Sequence, residues 1–340
     1  MQNTSPDPAV TAPLGPPPPF DPELVAVLAH ITQILPPGGS AAEPGATSPQ
    51  DVPGMEPVTD HDLERDGVFR VQERSVPGPA DSPDISLLIC RPVHAATPTP
   101  ALYHIHGGGM MIGDNRTGMP DMLDLAQELG LAVVSVEYRL APGTPHPGPV
   151  EDCYAGLSWT AEHTEELGID PRRIVIAGGS AGGGLAAAVA LLARDRGGPA
   201  LFGQLLMCPM LDDRNNTPSA RQMTGIGVWD SVSNEAGWTA LLGATRATDD
   251  VSPYAAPARA TDLSRLPPAF IDVGSAETFR DEDVDYANRI WQAGGQAELH
   301  VWPGAFHGFT GMAPHTAISQ DARTARLQWL RRLLANQGVL

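Results

Sequence analysis

The chain predicts an α/β fold, a single mostly parallel, doubly wound sheet with helices on both faces. Two observations carry this expectation. Beyond about residue 65, short apolar runs alternate with helical stretches, the pattern of a parallel sheet covered on both sides. Of the 340 residues, 42% are hydrophobic, yet no run of 18 apolar residues occurs, so the chain can build a large core without a membrane span.

Taken in order, residues 1 to 20 hold seven prolines and predict a loose extended arm. From Phe20 to Leu35, the apolar residues Leu24, Val27, Leu28, Ile31 and Leu35 recur at helical spacing behind an Asp21-Pro22 start. Residues 36 to 60 return to Pro, Gly and Ser, so 1–60 reads as a proline-rich arm carrying a cap helix. Strands are expected at Ile85–Pro92, Ala101–Ile105, Ala132–Glu137, Ile174–Ala177, Gln204–Met207, Ala269–Val273 and Ala297–Trp302. Helices are expected near Met119–Leu129, Val150–His163, Ala181–Arg194, Asp281–Gln292 and Gln320–Leu334. Their order makes 61–340 one catalytic domain. A polar segment with Trp229 and Trp238, about residues 211–250, is too long for a simple connection and predicts an inserted lid or cap.

The formal charge of −19 argues against a nucleic-acid partner, because a phosphate backbone would be repelled. The first residues lack a basic region followed by an apolar one, so secretion is not expected. Cys90, Cys153 and Cys208 are few and odd in number, and lie within strand or helix patterns. They read as buried free thiols in a cytoplasmic protein.

The strongest local signal is an apolar strand entering Gly178-Gly179-Ser180-Ala181-Gly182 and then a small-residue helix. This is G-x-S-x-G in the strand-turn-helix setting of a nucleophile elbow. Side chains two residues either side of such a serine would collide with neighbouring strand and helix, and glycine removes them. By itself the motif also fits a Gly-rich packing turn or a phosphate-binding loop, although the Lys-Ser/Thr of a P-loop is missing. A second signal narrows the choice. Tyr103-His104-Ile105-His106-Gly107-Gly108-Gly109 sets a glycine run directly after a strand. Donors from Gly108 and one neighbour, Gly107 or Gly109, together with the N–H of Ala181, would form an oxyanion hole. His106 itself reads as an anchor for that loop rather than as a base.

With Tyr138-Arg139-Leu140-Ala141-Pro142 and Asp152 added to these motifs, the chain resembles the hormone-sensitive-lipase-like (bacterial family IV) carboxylesterases of the α/β-hydrolase fold over about residues 65 to 335. The resemblance implies an N-terminal cap, a Ser-acid-His triad in that chain order, no cofactor or metal, and hydrolysis of short- to medium-chain esters. It also suggests a homodimer. Departures are GGSAG in place of GDSAG, and Gly143 where an acid is usual. The family's H-G-F matches Phe306-His307-Gly308-Phe309, which makes His307 the base, in a loop where it can reach Ser180. His300, its rival, sits in an alternating strand pattern and reads as structural. The family's G-x-x-D-x-x-x-D-E segment matches Gly274 to Glu282 with Glu277 in place of the triad aspartate. Asp272 lies within a strand, whereas Asp281, Glu282 and Asp283 open a helix and read as partners of its dipole. The catalytic set expected is therefore Ser180, Glu277 and His307, acting on a small-molecule ester. Amide, lactone or carbamate hydrolysis on the same groups, or a binding protein or lyase on this scaffold, are the alternatives.

Overall fold

The computed structural model describes residues 14–34 and 57–335. Eight strands form one sheet: β1 (Phe69–Val76), β2 (Ile85–Pro92), β3 (Thr99–Ile105), β4 (Ala132–Glu137), β5 (Ile169–Gly179), β6 (Gly203–Met207), β7 (Ala269–Gly274) and β8 (Ala297–Trp302). Their spatial order is β1-β2-β4-β3-β5-β6-β7-β8, with β2 antiparallel to both β1 and β4 and every other pairing parallel. The seven expected strands are all present. The strand missed by the sequence reading, β1, is an edge strand on which only the terminal residues Phe69 and Val76 are buried, so it lacks an apolar run.

The central strands send alternate side chains to opposite faces, as the two-residue period of a strand requires. Tyr103, Val134, Ile176, Leu206 and Ile271 enter one core layer and Leu102, Val133, Val175, Leu205 and Phe270 the other. The helices, in chain order, are α1 (Pro22–Ile34), α2 (Asp60–Glu64), α3 (Met119–Leu129), α4 (Gly148–Glu162), α5 (Thr164–Leu167), α6 (Ala181–Arg196), α7 (Pro218–Gln222), α8 (Ser231–Leu242), α9 (Arg280–Gln292), α10 (Phe309–Met312) and α11 (Ala317–Ala335). Buried residues of α4, α6 and α9 join the first layer, and those of α3 and α11 the second.

Two regions stand over the carboxyl ends of the parallel strands, where open α/β sheets bind ligands. In α1, Leu24 and Leu28 pack with Ala305, Phe306 and Phe309 of the segment after β8. The amphipathic stripe foreseen for Phe20 to Leu35 thus has its partner there; Leu35, like residues 1–13 and 36–56 of the arm, lies outside the described residues. The polar 211–250 segment holds α7 and α8, with Trp238 fully buried.

Candidate active site

β5 delivers Ser180 to the start of α6 through a turn that only small residues allow. A Cβ at Gly182 would collide with the carbonyl oxygens of Ile105 and His106, and one at Gly178 with the backbone of Gly182. Ser180 itself has φ +56 and ψ −125, a conformation that L residues rarely adopt. It is held by its N–H donating to the Met207 carbonyl at 2.8 Å and its own carbonyl accepting from Gly184 and Met210. The strained conformation is thus fixed by β6, the chain just after it and α6, and it raises the hydroxyl above the sheet.

There Ser180 Oγ lies 2.9 Å from His307 Nε2, and His307 Nδ1 lies 2.9 Å from Glu277 Oε1. The structure brings together the three residues singled out from sequence. Glu277 is fully buried, and its second oxygen accepts the Gly274 N–H at 3.0 Å, which locks the carboxylate in one orientation. Burial disfavours a charged His307, but Cys208 and the Glu277 carboxylate beside it favour one more strongly, and its pKa lies above the ordinary histidine value. Phe279 sets its ring edge-on to the imidazole at 5.1 Å.

The glycine run lies against the elbow: a Cβ at Gly107 would stand 3.0 Å from the Gly179 oxygen and 3.4 Å from Ser180 Cβ. Among the described residues, no protein acceptor meets the N–H of Gly108 or Gly109. Ala181 is the first residue of α6, where helix geometry leaves the amides without an internal partner. His106 anchors this loop, as expected. It is buried with Nδ1 2.8 Å from the Gly107 oxygen, and burial pushes its pKa down to about 4, so the ring is neutral. Tyr138 stacks on His106 at 4.2 Å and donates its hydroxyl to the His106 carbonyl at 2.9 Å. Arg139 grips buried Asp152 through Nε at 2.8 Å and Nη2 at 2.7 Å. The Tyr138–Pro142 motif therefore braces the loop from below.

His300 is stacked between Phe270 and Trp302 and hydrogen-bonded to Glu298, 3.0 Å away, which fits its structural reading. The acids that open α9 need correction. Asp281 stands in the first turn of α9 as expected, but it also accepts the Ser219 N–H at 2.7 Å and so caps α7 as well. Glu282 is buried and accepts the N–H groups of Leu211 and Asp212 at 2.7 and 3.1 Å, anchoring the entry to the 211–250 segment. Asp283 is fully buried, and desolvation pushes the pKa of both carboxyls well up. Helix-dipole logic fails for Glu282 and Asp283 because their side chains point into the protein and not into solvent, whereas Asp281 stays partly exposed beside Arg280.

A cavity of about 950 Å³ opens on Ser180 and His307. His30 and Ile31 of α1, Val228 and Trp229, and Met122 and Met207 contribute to its wall. Trp229 sits so close to Gly109 that a Cβ there would strike its ring. Sequence reading missed two further groups at this cavity. Arg326 of α11 is buried, pairs with Asp272 at 2.9 Å and donates to Thr310 at 3.1 Å. Its partner is 54 positions away in the chain, so no local pattern could have announced it. The other is Cys208, expected as a buried thiol, which is only half-buried and lines the cavity. It follows the end of β6 with φ +38, which turns it out of the sheet.

Residues 102–311 match the alpha/beta hydrolase fold family. The chain is similar to carboxylesterase NlhH of Mycobacterium tuberculosis, 35% identical over 268 residues, which is 78% of this chain and 83% of that protein. It is 30% identical over 272 residues to an ethyl acetate hydrolase of Pseudomonas putida, covering 74% of this chain and 85% of the other. Among solved structures, a bacterial heroin esterase superposes with a TM-score of 0.80 at 40% identity, covering 93% of this chain and 98% of that one.

Proposed function

The chain belongs to the α/β-hydrolase family, in its hormone-sensitive-lipase-like branch, and is a carboxylic-ester hydrolase; from that premise we propose that Ser180 is its nucleophile, His307 its general base and acid, and Glu277 the orienting carboxylate. The observation that carries this is the continuous hydrogen-bonded line Ser180–His307–Glu277, with both links at 2.9 Å. Ser180 Oγ attacks the ester carbonyl while His307 Nε2 takes its proton. The oxyanion is met by N–H groups of Ala181 and the Gly107–Gly109 loop, Gly108 and Gly109 foremost, and preset donors of this kind are worth several kcal/mol. His307 then gives the proton to the leaving alcohol, and a water deprotonated by the same imidazole releases the acid. Glu277 fixes the tautomer with Nδ1–H and stabilises the imidazolium.

The substrate is a small ester with a short to medium acyl chain. The largely apolar cavity wall and the similarity to an ethyl acetate hydrolase support that range. We read α1 and the 211–250 segment as the cap, since His30, Ile31, Val228 and Trp229 face the cavity over Ser180. Among the described residues no helix is long and apolar enough to cross a membrane. The three free cysteines support a reducing, cytoplasmic setting, and the homodimer suggested by the family resemblance is checked by light scattering. The deciding experiment is turnover of chromogenic acetate and butyrate esters by the purified chain and by Ser180→Ala. Loss of turnover in the variant, with labelling of Ser180 by a fluorophosphonate probe in the wild type, is the expected result. Undiminished hydrolysis by Ser180→Ala would remove the nucleophile assignment.

A further inference from the structure

We propose that Cys208, His307 and Glu277 form a binding site for a borderline-soft divalent cation, Zn²⁺ foremost, and that its occupancy switches ester hydrolysis off. The thiol sulfur, an imidazole nitrogen and a carboxylate oxygen of these residues lie within 4.8 Å of one another. Only two of the three are needed for the proposed hydrolysis, so the thiol is the group left unexplained. It is also held there deliberately by the backbone. Cys208 occupies the left-handed region at φ +38, a conformation that a residue with a Cβ rarely adopts. Its N–H donates to the Asp272 carbonyl at 2.6 Å across the carboxyl edge of the sheet. That turn directs the half-buried side chain to the cavity, from which a cation can enter.

The donor set selects the ion. One sulfur, one nitrogen and one oxygen suit Zn²⁺, which binds them at about 2.0–2.3 Å in tetrahedral geometry. Around such an ion the donors stand roughly 3.3–3.6 Å apart, so from separations within 4.8 Å, side-chain rotations that bring donors together by up to about 1.5 Å close the site. Mg²⁺ and Ca²⁺ demand six or more oxygens and find one side chain of that kind here. Charge balances as well. A divalent cation with one thiolate, one carboxylate and a neutral imidazole sums to zero, which a buried location requires.

The consequence for hydrolysis rests on the proposed roles of Ser180 and His307. If the cation takes Nε2, the lone pair that accepts the Ser180 proton is used. If it takes Nδ1, the imidazole proton moves to Nε2, which then donates toward Ser180 Oγ and cannot accept. Either way the base is lost, and removal of the ion restores it without any change of oxidation state.

Co²⁺ serves as the spectroscopic probe and Zn²⁺ as the inhibitor, both with the full chain. Wild type and Ser180→Ala should each bind one equivalent of Co²⁺ with a thiolate-to-cobalt charge-transfer band in the near ultraviolet. Cys208→Ala and Cys208→Ser should lack it; the serine variant keeps the side-chain shape and guards against misfolding. Cys90 and Cys153 are fully buried and do not supply the band. Zn²⁺ should inhibit wild-type acetate ester hydrolysis reversibly, with recovery on EDTA. Measured against each variant's own metal-free rate, the half-inhibitory concentration should rise at least ~10-fold in both Cys208 variants, the smaller end of what loss of even an outer-shell partner costs. No charge-transfer band in wild type, or the same band in the Cys208 variants, overturns the site. Equal Zn²⁺ sensitivity in all chains overturns the switch. A wild type that binds Co²⁺ through Cys208 yet hydrolyses no ester overturns the catalytic reading and the switch with it, while the cation site stands.

Discussion

Replacing Glu277 by glutamine keeps the shape of the side chain and removes its charge, and the structure says which way the amide must face. Glu277 Oε2 accepts the Gly274 N–H at 3.0 Å, and a buried donor left unpaired there would cost about 1–3 kcal/mol. The amide oxygen therefore takes that position, and the NH₂ faces His307 Nδ1, 2.9 Å away. An NH₂ can only donate, so Nδ1 must accept, and the imidazole proton goes to Nε2. Nε2 then donates to Ser180 Oγ instead of accepting from it. The base is present but in the wrong tautomer. A tautomer error of this kind in a serine protease triad lowers kcat about 10⁴-fold, equivalent to ~5.4 kcal/mol of barrier. We expect Glu277→Gln to lose between about 10³- and 10⁴-fold in kcat on a chromogenic acetate ester, with little change in Tm. Asp281→Asn is the control. Its carboxylate accepts from Ser219 N–H and from Arg280 Nε, both at 2.7 Å, and touches neither His307 nor Ser180. It should cost about 1 kcal/mol of stability through the α7 cap and change kcat only a few-fold. Near-normal kcat in Glu277→Gln, or the larger loss in Asp281→Asn, would refute the assignment of the acid.

Hydrolysis should rise toward alkaline pH. His307 must be neutral to act, and Cys208 and Glu277 outweigh burial to raise its pKa. The stabilisation from its protonated form is complete in acid and is lost as pH rises through the raised value, the same window in which activity appears. The acid limb of kcat/KM should thus lie above about 6.5, and a limb at or below that value would contradict the environment described. Glu137 is pushed up to about 7 by burial. A carboxyl raised from about 4.5 penalises the fold progressively between those two values and fully above them. Glu137→Gln should raise stability by on the order of 1–3 kcal/mol at pH 8 and by almost nothing at pH 4, read by thermal melts at the two pH values. Deleting residues 1–40 removes the α1 face that covers Phe306 and Phe309 beside His307, so KM should rise, or the chain should aggregate through the uncovered patch. Unchanged kinetics and solubility would take α1 out of the cap. Tyr138→Phe removes the hydroxyl donated to the His106 carbonyl and should cost ~1 kcal/mol in Tm-derived stability; an unaltered Tm would show that the ring stack alone holds the glycine loop.

By itself, the amino-acid sequence determined the class of the fold, seven of the eight strands and the residues of the hydrogen-bonded line. Each of these leaves a local trace. A strand buried on both faces needs an apolar run, the elbow needs Gly178 and Gly182 two residues from Ser180, and a loop offering bare amides needs consecutive glycines. What the tertiary structure alone decided has no local trace, because it depends on residues remote in the chain meeting at one sheet edge. Polar β1 became a strand only because β2 offered it an edge. The acids of α9 look alike in sequence, yet Asp281 caps α7, Glu282 holds the chain at Leu211 and Asp283 is sealed in the interior. Arg326 finds Asp272 from the last helix, and Cys208, one residue past β6, turns its thiol toward His307, 99 positions further on. Sequence pattern reports the period of burial along one element, whereas the direction of a side chain at the end of that element is set by the φ, ψ of a single residue and by what packs beside it.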